Sequence, residues 1–314
     1  MYSDIAIKVA AAKACGIIKS NAHFWESFSS MDQFEESISD DQRLYDAVDD
    51  ILKEIESSES EMGIVCYFDE NFPAINSGVK SNSDKPFLLY YKGDISLLSD
   101  LNRNVAVIGL INPDESIMQR GERVVKNLVN SNHNIVSGLA KGCDTLAHKV
   151  CLESGGKTIA ILSTQVNKIY PAENRGLAAE IVDNGGLLIS EYSNEPSGRN
   201  ESIKRLIDRD RLQAMFSKAV VLIASYRKGE GDSGSRHAMD AAKKYGVERY
   251  VMYNPAIDNN NIMFGLNKYY VQPNSIEQAK TITENSISEI SRTMIKGFLS
   301  RQDNYYVQHV FAGF

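Results

Sequence analysis

The chain has 314 residues and a formal net charge of −7, and 43% of its residues are hydrophobic. A chain of this length and composition can bury a substantial core, which excludes an intrinsically disordered protein. No apolar run approaches the ~18 residues of a membrane span, and the N-terminus lacks the pattern of a signal peptide, so we expect a cytoplasmic protein. The four cysteines form no C-x-x-C pair, which fits a reducing compartment and disfavours a structural zinc site.

The acidic charge is concentrated in the N-terminal part of the chain. Residues 1–100 carry 8 Lys/Arg and 19 Asp/Glu, a balance of −11, which leaves 26 and 22, or +4, for residues 101–314. Apolar residues recur there every three or four positions, a spacing that predicts a small N-terminal helical module over residues 1–62. The remainder of the chain can still present a locally basic surface.

From residue 63 the composition changes to β-rich runs. After GIVCYFDENFPAI and KPFLLYYKGD, six apolar runs alternate with amphipathic segments, at 105–110, 134–139, 158–163, 187–192, 219–225 and 249–254. This alternation predicts repeated βαβ units, and strands this apolar are typical of a parallel sheet covered on both faces. We therefore predict an α/β fold, an extended Rossmann-like doubly wound parallel sheet over residues 63–272, followed by a short C-terminal extension, 273–314.

Ligands of such sheets bind beyond the carboxyl ends of the strands, so the loops there are the candidate site. The stretch SGLAKGCDTLAH follows the second of the six strands. Gly138 and Gly142 would let the backbone approach a ligand, Lys141 adds a positive charge, and Asp144 is expected to cap the next helix. These residues suit a phosphate, although a glycine turn with a purely structural role explains them equally well.

Other loops strengthen the case for an anion site. KIYPAENR follows the third strand, SGSRHAMDAA precedes a helix, and a run of arginines interleaved with acids lies before the fifth strand. A solvated helix face remains the alternative explanation of that run. The candidate nucleic-acid-binding residues are Gly138, Lys141, Gly142, Asp144, Lys168, Arg175, Arg209, Arg211, Ser233, Gly234, Ser235 and Arg236.

Five motifs in order, VSGLAKGCDTLAH, IYPAENR, ISEY, RDRLQAMFS and SGSRHAMDAAKKYG, resemble those of the DprA/Smf DNA-processing family across residues 67–254. The resemblance implies a Rossmann-type protein that binds single-stranded DNA, protects incoming strands during transformation of competent cells, and loads a RecA-type recombinase. It also implies a homodimer without enzymatic activity, cofactor or membrane association.

The chain departs from the family pattern at several positions. Gly109-Leu110-Ile111 stands where the family usually has Gly-Ser-Arg, so one phosphate contact is expected to be missing. Asp210 replaces an asparagine between Arg209 and Arg211. Because residues two apart on a helix diverge, both arginines could face DNA only if the segment were extended or turning, with the helix restarting near Leu212.

Two other functional classes use similar loops. A sensor domain for a nucleotide-derived ligand would need Gly138, Lys141 and Ser235 without the arginine run. A phosphoribohydrolase would need an acid where this chain has Ala238, which argues against glycosidic chemistry. His148 is also poorly placed to pair with Cys143, and a contact with Asp144 would more often be structural, so we predict no catalytic residues and no metal site.

Overall fold

Eleven strands are assigned in the computed structural model, which describes residues 2–39, 41–57, 62–295 and 298–299. In chain order they are β1 (Gly63–Cys66), β2 (Ile75–Asn76), β3 (Leu88–Gly93), β4 (Asn104–Ile108), β5 (Asn134–Ser137), β6 (Thr158–Leu162), β7 (Leu187–Ser190), β8 (Ala219–Leu222), β9 (Glu248–Val251), β10 (Lys280–Thr281) and β11 (Phe298–Leu299).

Twelve α-helices are assigned in the described ranges, four of them before β1. They are α1 (Asp4–Ala14), α2 (Asn21–Ser27), α3 (Met31–Ile38), α4 (Gln42–Ser57), α5 (Glu115–Asn130), α6 (Cys143–Glu153), α7 (Arg175–Asp183), α8 (Arg199–Met215), α9 (Arg236–Tyr245), α10 (Pro255–Asp258), α11 (Gly265–Val271) and α12 (Glu284–Arg292). None of the described helices is both long and apolar enough to cross a bilayer.

Nine strands form one sheet in the order β1-β3-β7-β6-β5-β4-β8-β9-β10. The six predicted apolar runs correspond to β4 to β9, and neighbouring strands of this set pair in parallel, as expected for strands connected through helices that cover the sheet. The predicted α/β fold is confirmed. The lead-in segment adds an antiparallel edge, since β1 pairs with β3 and β3 with β7.

The N-terminal helices share a hydrophobic core with one face of the sheet. Phe24 of α2 stacks on Phe87 with ring centroids 4.4 Å apart, and Phe34 of α3 is fully buried in the same cluster as Leu88 and Ala160. At the other end β10 extends the sheet beside β9. The boundaries after residues 62 and 272 stay a prediction, and residues 296–297 and 300–314 of the predicted extension lie outside the described residues.

The chain reverses its direction across the sheet at β4. From β4 it moves through β5, β6 and β7, and then returns to β8 on the other side of β4. Five loops leave the carboxyl ends of these strands toward helices. They are the first loop (109–114), the second (138–142), the third (163–174), the fourth (191–198) and the fifth (223–235). The reversal places a crevice between the first and fifth loops, where open α/β sheets bind ligands.

Candidate nucleic-acid interface

Gly142 allows the second loop to pack against the first. Its φ is +70°, and a Cβ atom there would lie 2.3 Å from the carbonyl oxygens of Leu110 and Ile111. Cys143 donates its backbone N–H to the Leu110 carbonyl at 2.9 Å, which joins the two loops. The fold itself therefore requires glycine here. Contact between Gly142 and a ligand stays a prediction.

Gly138 makes room for a buried cation. A Cβ atom at this position would lie 1.1 Å from Nη1 of Arg209, so any side chain would displace that guanidinium group. Arg209 lies beneath the second loop and donates from Nη1 to the carbonyl of Ile161 at 3.3 Å. The glycines in the sequence thus located the loop correctly. The space beside Gly138, however, is filled by the side chain of Arg209.

Asp144 does not cap α6, so that expectation was wrong. The N-cap residue is Gly142, and Asp144 lies buried in the first helical turn. Its Oδ2 accepts the N–H of Ala140 at 3.2 Å and lies 3.8 Å from Nη1 of Arg209. Burial raises the pKa of this carboxyl, and the charge of Arg209 opposes that rise. Asp144 therefore shapes the second loop.

Helix α8 is continuous from Arg199 to Met215, so the chain lacks the extended or turning segment that would let both arginines face DNA. Arg209 and Arg211 diverge on this helix, as residues two apart must. Nε of Arg209 lies 3.1 Å from Oδ1 of Asp210 in the interior. Arg211 donates twice to Glu191 at 2.7 Å. Both arginines are buried or nearly so, which excludes the solvated helix face for these two residues.

The exposed candidate cations lie in the second and third loops and at the start of α7, and two of the three contact an acid. Nζ of Lys141 lies 2.6 Å from Glu173, which joins the second loop to the third. Lys168 pairs with Glu195, which joins the third loop to the fourth. Within the described ranges, Arg175 is exposed and forms no ion pair. We call Lys141, Lys168 and Arg175 the edge row.

The fifth loop holds the first loop through Asp232 and Ser235. The Asp232 carboxylate accepts the N–H groups of Ile111 at 3.1 Å and Gly234 at 3.3 Å. The hydroxyl of Ser235, the residue before α9, donates to the carbonyl of Gly109 at 3.0 Å. The backbone N–H of Gly234, one of the candidate residues, therefore already has an internal carboxylate as its acceptor. The sequence analysis did not identify Asp232. The feature that could have pointed to it is a single acid directly before Ser-Gly-Ser.

The remaining candidates near the fifth loop are partly exposed. Arg236 begins α9, and its Nη1 lies 3.8 Å from Asp240 one turn later. Ser233 is half-buried beside Asp232, whereas Gly234 is exposed. Binding of DNA by each of these residues stays a prediction.

His148 has a structural environment. Its Nδ1 lies 2.6 Å from the hydroxyl of Thr158, and the side chain is fully buried. Burial lowers the pKa of His148 to about 3, and Arg209 adds to the effect, so the imidazole is neutral at physiological pH. Among the described residues, no group of three or more His, Cys, Asp or Glu side chains is placed to hold a metal ion.

Sequence comparisons identify relatives of this chain among known proteins. DNA processing protein DprA of Streptococcus pneumoniae is 40% identical over 112 residues, covering 35% of this chain and 37% of that protein. DNA processing protein DprA of Bacillus subtilis is 29% identical over 174 residues, covering 55% of this chain and 56% of that protein. The chain thus spans between about a third and about half of the curated relatives it matches.

Solved structures give the same result. DprA from Streptococcus pneumoniae superposes with a TM-score of 0.69 over 94% of this chain and 100% of that chain, and its 22% identity shows the fold. DNA processing protein A from Helicobacter pylori, described with a single-stranded DNA binding mode, gives a TM-score of 0.59 at 26% identity, covering 74% and 96%. Residues 63–286, more than half of the chain, match the profile named DNA recombination-mediator protein A. The chain therefore belongs to this family, the DprA/Smf family of DNA-processing proteins.

Proposed function

We propose that the chain binds single-stranded DNA along the carboxyl edge of its sheet, protects it, and delivers it to a RecA-type recombinase during uptake of transforming DNA. The proposal includes a homodimer in the cytoplasm and no enzymatic activity. The observation that carries it is the edge row, because three exposed cations stand on the second loop, on the third loop and at the start of α7 in a family member. Neighbouring parallel strands lie only about 5 Å apart, so these loops can contact successive phosphates.

The sensor of a nucleotide-derived ligand remains a second candidate, because a crevice of about 310 Å³ opens between the first and fifth loops. A salt titration separates the two functions. Fluorescence anisotropy with a single-stranded oligonucleotide and its duplex should show preference for the single strand. The logarithm of the binding constant should fall with log salt by about 0.7 for each phosphate neutralised. Stabilisation by small nucleotides without binding of either DNA would overturn the proposal.

Arg175 should contribute more to binding than Lys141, because Lys141 must first leave Glu173. We expect Arg175→Ala to weaken binding several-fold and to reduce the salt slope by about 0.7, the value for one phosphate contact on a single strand. Lys141→Ala should have a smaller effect. Glu173→Gln should strengthen binding, since it frees Lys141 for phosphate.

The matched control for Glu173→Gln is Glu122→Gln. It breaks the exposed pair between Glu122 and Lys126, which lies on α5. Lys126 is eleven residues into α5, about 16 Å along the helix from the first loop. Equal gains in affinity from both substitutions would show a general charge effect and would remove the special role of the edge row.

Asp232 should oppose DNA binding, because its carboxylate occupies the N–H groups of Ile111 and Gly234. We expect Asp232→Ala to tighten binding of a single strand on the order of fivefold at low salt, with a smaller gain for Asp232→Asn. Glu230→Gln is the control, since Glu230 is exposed on the same loop. Equal gains from Glu230→Gln and Asp232→Asn would show that occupancy of the N–H groups is irrelevant.

A further inference from the structure

A cavity of about 600 Å³ lies between two N-terminal helices and the antiparallel edge of the sheet. Ala10 and Ala14, one turn apart, line it from α1, and Ala47 lines it from α4, so small side chains leave the space. The sheet contributes Ile64 of β1 and Tyr90 of β3. A cavity of this size, lined mainly by apolar side chains with a few polar groups, is typical of small-molecule sites.

The third and fourth loops form another wall, which internal contacts hold in place. Arg205 is 3% exposed and donates to the backbone carbonyl of Asn194 at 2.6 Å and to its side-chain oxygen at 3.1 Å. The guanidinium carbon of Arg205 lies 4.3 Å from the ring centroid of Tyr192. Nε2 of Gln165 donates to the carbonyl of Ser193, which joins the two loops. The wall is therefore formed before any ligand arrives, which reduces the entropic cost of binding.

Gln165 also supplies an acceptor without a partner. Its side chain is 9% exposed, and its Oε1 is buried and accepts no hydrogen bond from the described residues. Because Nε2 is held by Ser193, the orientation of the amide leaves the oxygen as the unpaired end. A buried acceptor left unpaired costs free energy, so a ligand that donates an N–H group here would recover it.

The charge at the rim of this cavity favours a cation. Asp46 and Asp50 of α4 are exposed acids in the lining, and Arg43 is the basic residue there. Nη2 of Arg43 lies 2.5 Å from Oδ2 of Asp41, so its charge is already neutralised. Lys53 is 3.9 Å from Asp50, whereas Asp46 forms no ion pair with the described residues. An ammonium group would be attracted to this rim, and a phosphate or carboxylate would be repelled.

We propose that this cavity binds a planar aromatic amine. The ring would lie between α1 and α4, a ring N–H would donate to Gln165, and the protonated amino group would lie at Asp46 and Asp50. The inference goes beyond the proposed binding of DNA and does not depend on it. The cavity shares no lining residue with the crevice between the first and fifth loops, and none of the edge row lines it.

Tryptamine, tryptophol and indoleacetate test the charge, because they share an indole ring and carry a positive, neutral or negative side chain. Calorimetric titration of the wild-type protein at low salt should give an affinity for tryptamine on the order of tenfold above that for indoleacetate, with tryptophol between them. Asp46→Asn should reduce this ratio. The matched control is Asp49→Asn, an exposed acid of α4 outside the cavity lining, which should leave the ratio unchanged. Binding of none of the three compounds, equal binding of all three, or equal effects of the two substitutions would overturn the inference.

The analogue of tryptamine that is methylated at the ring nitrogen tests the acceptor, because it retains the charge and lacks the ring N–H. Tryptamine should bind the wild-type protein several-fold more tightly than this analogue. Gln165→Leu removes the acceptor at similar volume and should bring the two affinities together. Equal affinities in the wild type, or an undiminished preference in Gln165→Leu, would contradict the proposed hydrogen bond.

The thiol of Cys15 reports whether the ligand occupies this cavity, because Cys15 lines it and is partly exposed. The other cysteines are buried, and burial raises the pKa of their thiols: Cys66, Cys143 and Cys151. The neutral reagent dithiodipyridine should therefore react first with Cys15 in the folded protein. Saturating tryptamine should slow that reaction several-fold. Calorimetric binding of tryptamine without protection of Cys15 would place the ligand elsewhere and overturn the inference.

Filling the cavity provides the last test. Ala14 is exposed at the end of α1, so Ala14→Phe should fold, occupy the space between α1 and α4, and abolish tryptamine binding. Ala179→Phe, at an exposed alanine of α7, is the control and should bind tryptamine as the wild type does. Tryptamine binding retained by Ala14→Phe, or lost equally in both variants, would overturn the inference and would leave the proposed binding of DNA untouched.

Discussion

Arg211→Ala is expected to lower the free energy of unfolding by about 3–5 kcal/mol, because it leaves a buried carboxylate without its cation. Glu191 is 7% exposed and accepts two hydrogen bonds from Arg211 at 2.7 Å. Burial alone would raise the pKa of Glu191, but Arg211, with help from Lys13 and Asn21, holds it below its ordinary value. Chemical unfolding at pH 7 would measure the loss.

The same ion pair connects distant parts of the chain. Nε of Arg211 donates to the carbonyl of Asp84 at 2.9 Å, and Asn21 of α2 donates to Glu191 at 3.2 Å. Lys13 of α1 donates to the Glu191 backbone carbonyl at 2.9 Å. Loss of Arg211 should therefore loosen the N-terminal helices from the sheet as well as weaken one contact.

Two further variants separate the ion pair from a general effect of charge. Lys204→Ala, at an exposed position on α8, should leave the stability almost unchanged. The double variant Glu191→Leu with Arg211→Met should recover much of the loss, because neither charge is then buried alone. If Arg211→Ala proved as stable as the wild type but lost DNA affinity, Arg211 would be a DNA contact and the structural role would be wrong.

The sheet could be predicted because its determinants are local. The strands β4 to β8 are buried along their whole length, a pattern typical of parallel strands covered on both faces, whereas β9 begins with the partly exposed Glu248 and Arg249. The loops of the site could also be located from local sequence, because glycines between a strand and a helix indicate a turn. The antiparallel edge formed by β1 and β3 was recognised only as β-rich sequence, because pairing partners are not local information.

The partners within the site could not be predicted from the sequence. Arg209 meets Asp144, 65 positions earlier, and Gly138 is small because that guanidinium group rests on it. Asp232 reaches the N–H of Ile111 across 121 positions. Such contacts depend on how helices and loops pack, which the sequence does not reveal. The sequence therefore indicated a group of free cations, whereas most of these cations form ion pairs with acids in the structure.

Asp210 provides the second large effect, which depends on pH. Its side chain is 14% exposed, and burial raises its pKa to about 7 despite the opposing charge of Arg209, with Asp144 and Asp232 raising it further. In the unfolded chain the same carboxyl ionises near its ordinary value of 3.8. Between these two values the unfolded chain has released the proton and the folded protein has not.

The sign of the effect follows from this difference in bound protons. Because the folded state holds the proton more tightly, stability contributed by Asp210 is lost as the pH rises from about 4 to about 7, and changes little above that. At about 1.4 kcal/mol for each pKa unit, the rise from 3.8 to about 7 sets an upper limit of about 4 kcal/mol. An asparagine side chain at this position would not titrate, so Asp210→Asn should remove this loss.

We therefore expect the stability of Asp210→Asn, relative to the wild type, to increase by about 2–4 kcal/mol between pH 4 and pH 8. The change in stability with pH matters more than the stability at any one pH, because asparagine also alters the 3.1 Å contact between this side chain and Arg209 at every pH. Chemical unfolding of both proteins across this range provides the measurement, with Asp183→Asn, an exposed carboxylate on α7, as the control. Parallel pH profiles for the wild type and Asp210→Asn would show that Asp210 is ionised in the folded protein at neutral pH, and that Arg209 compensates fully for its burial.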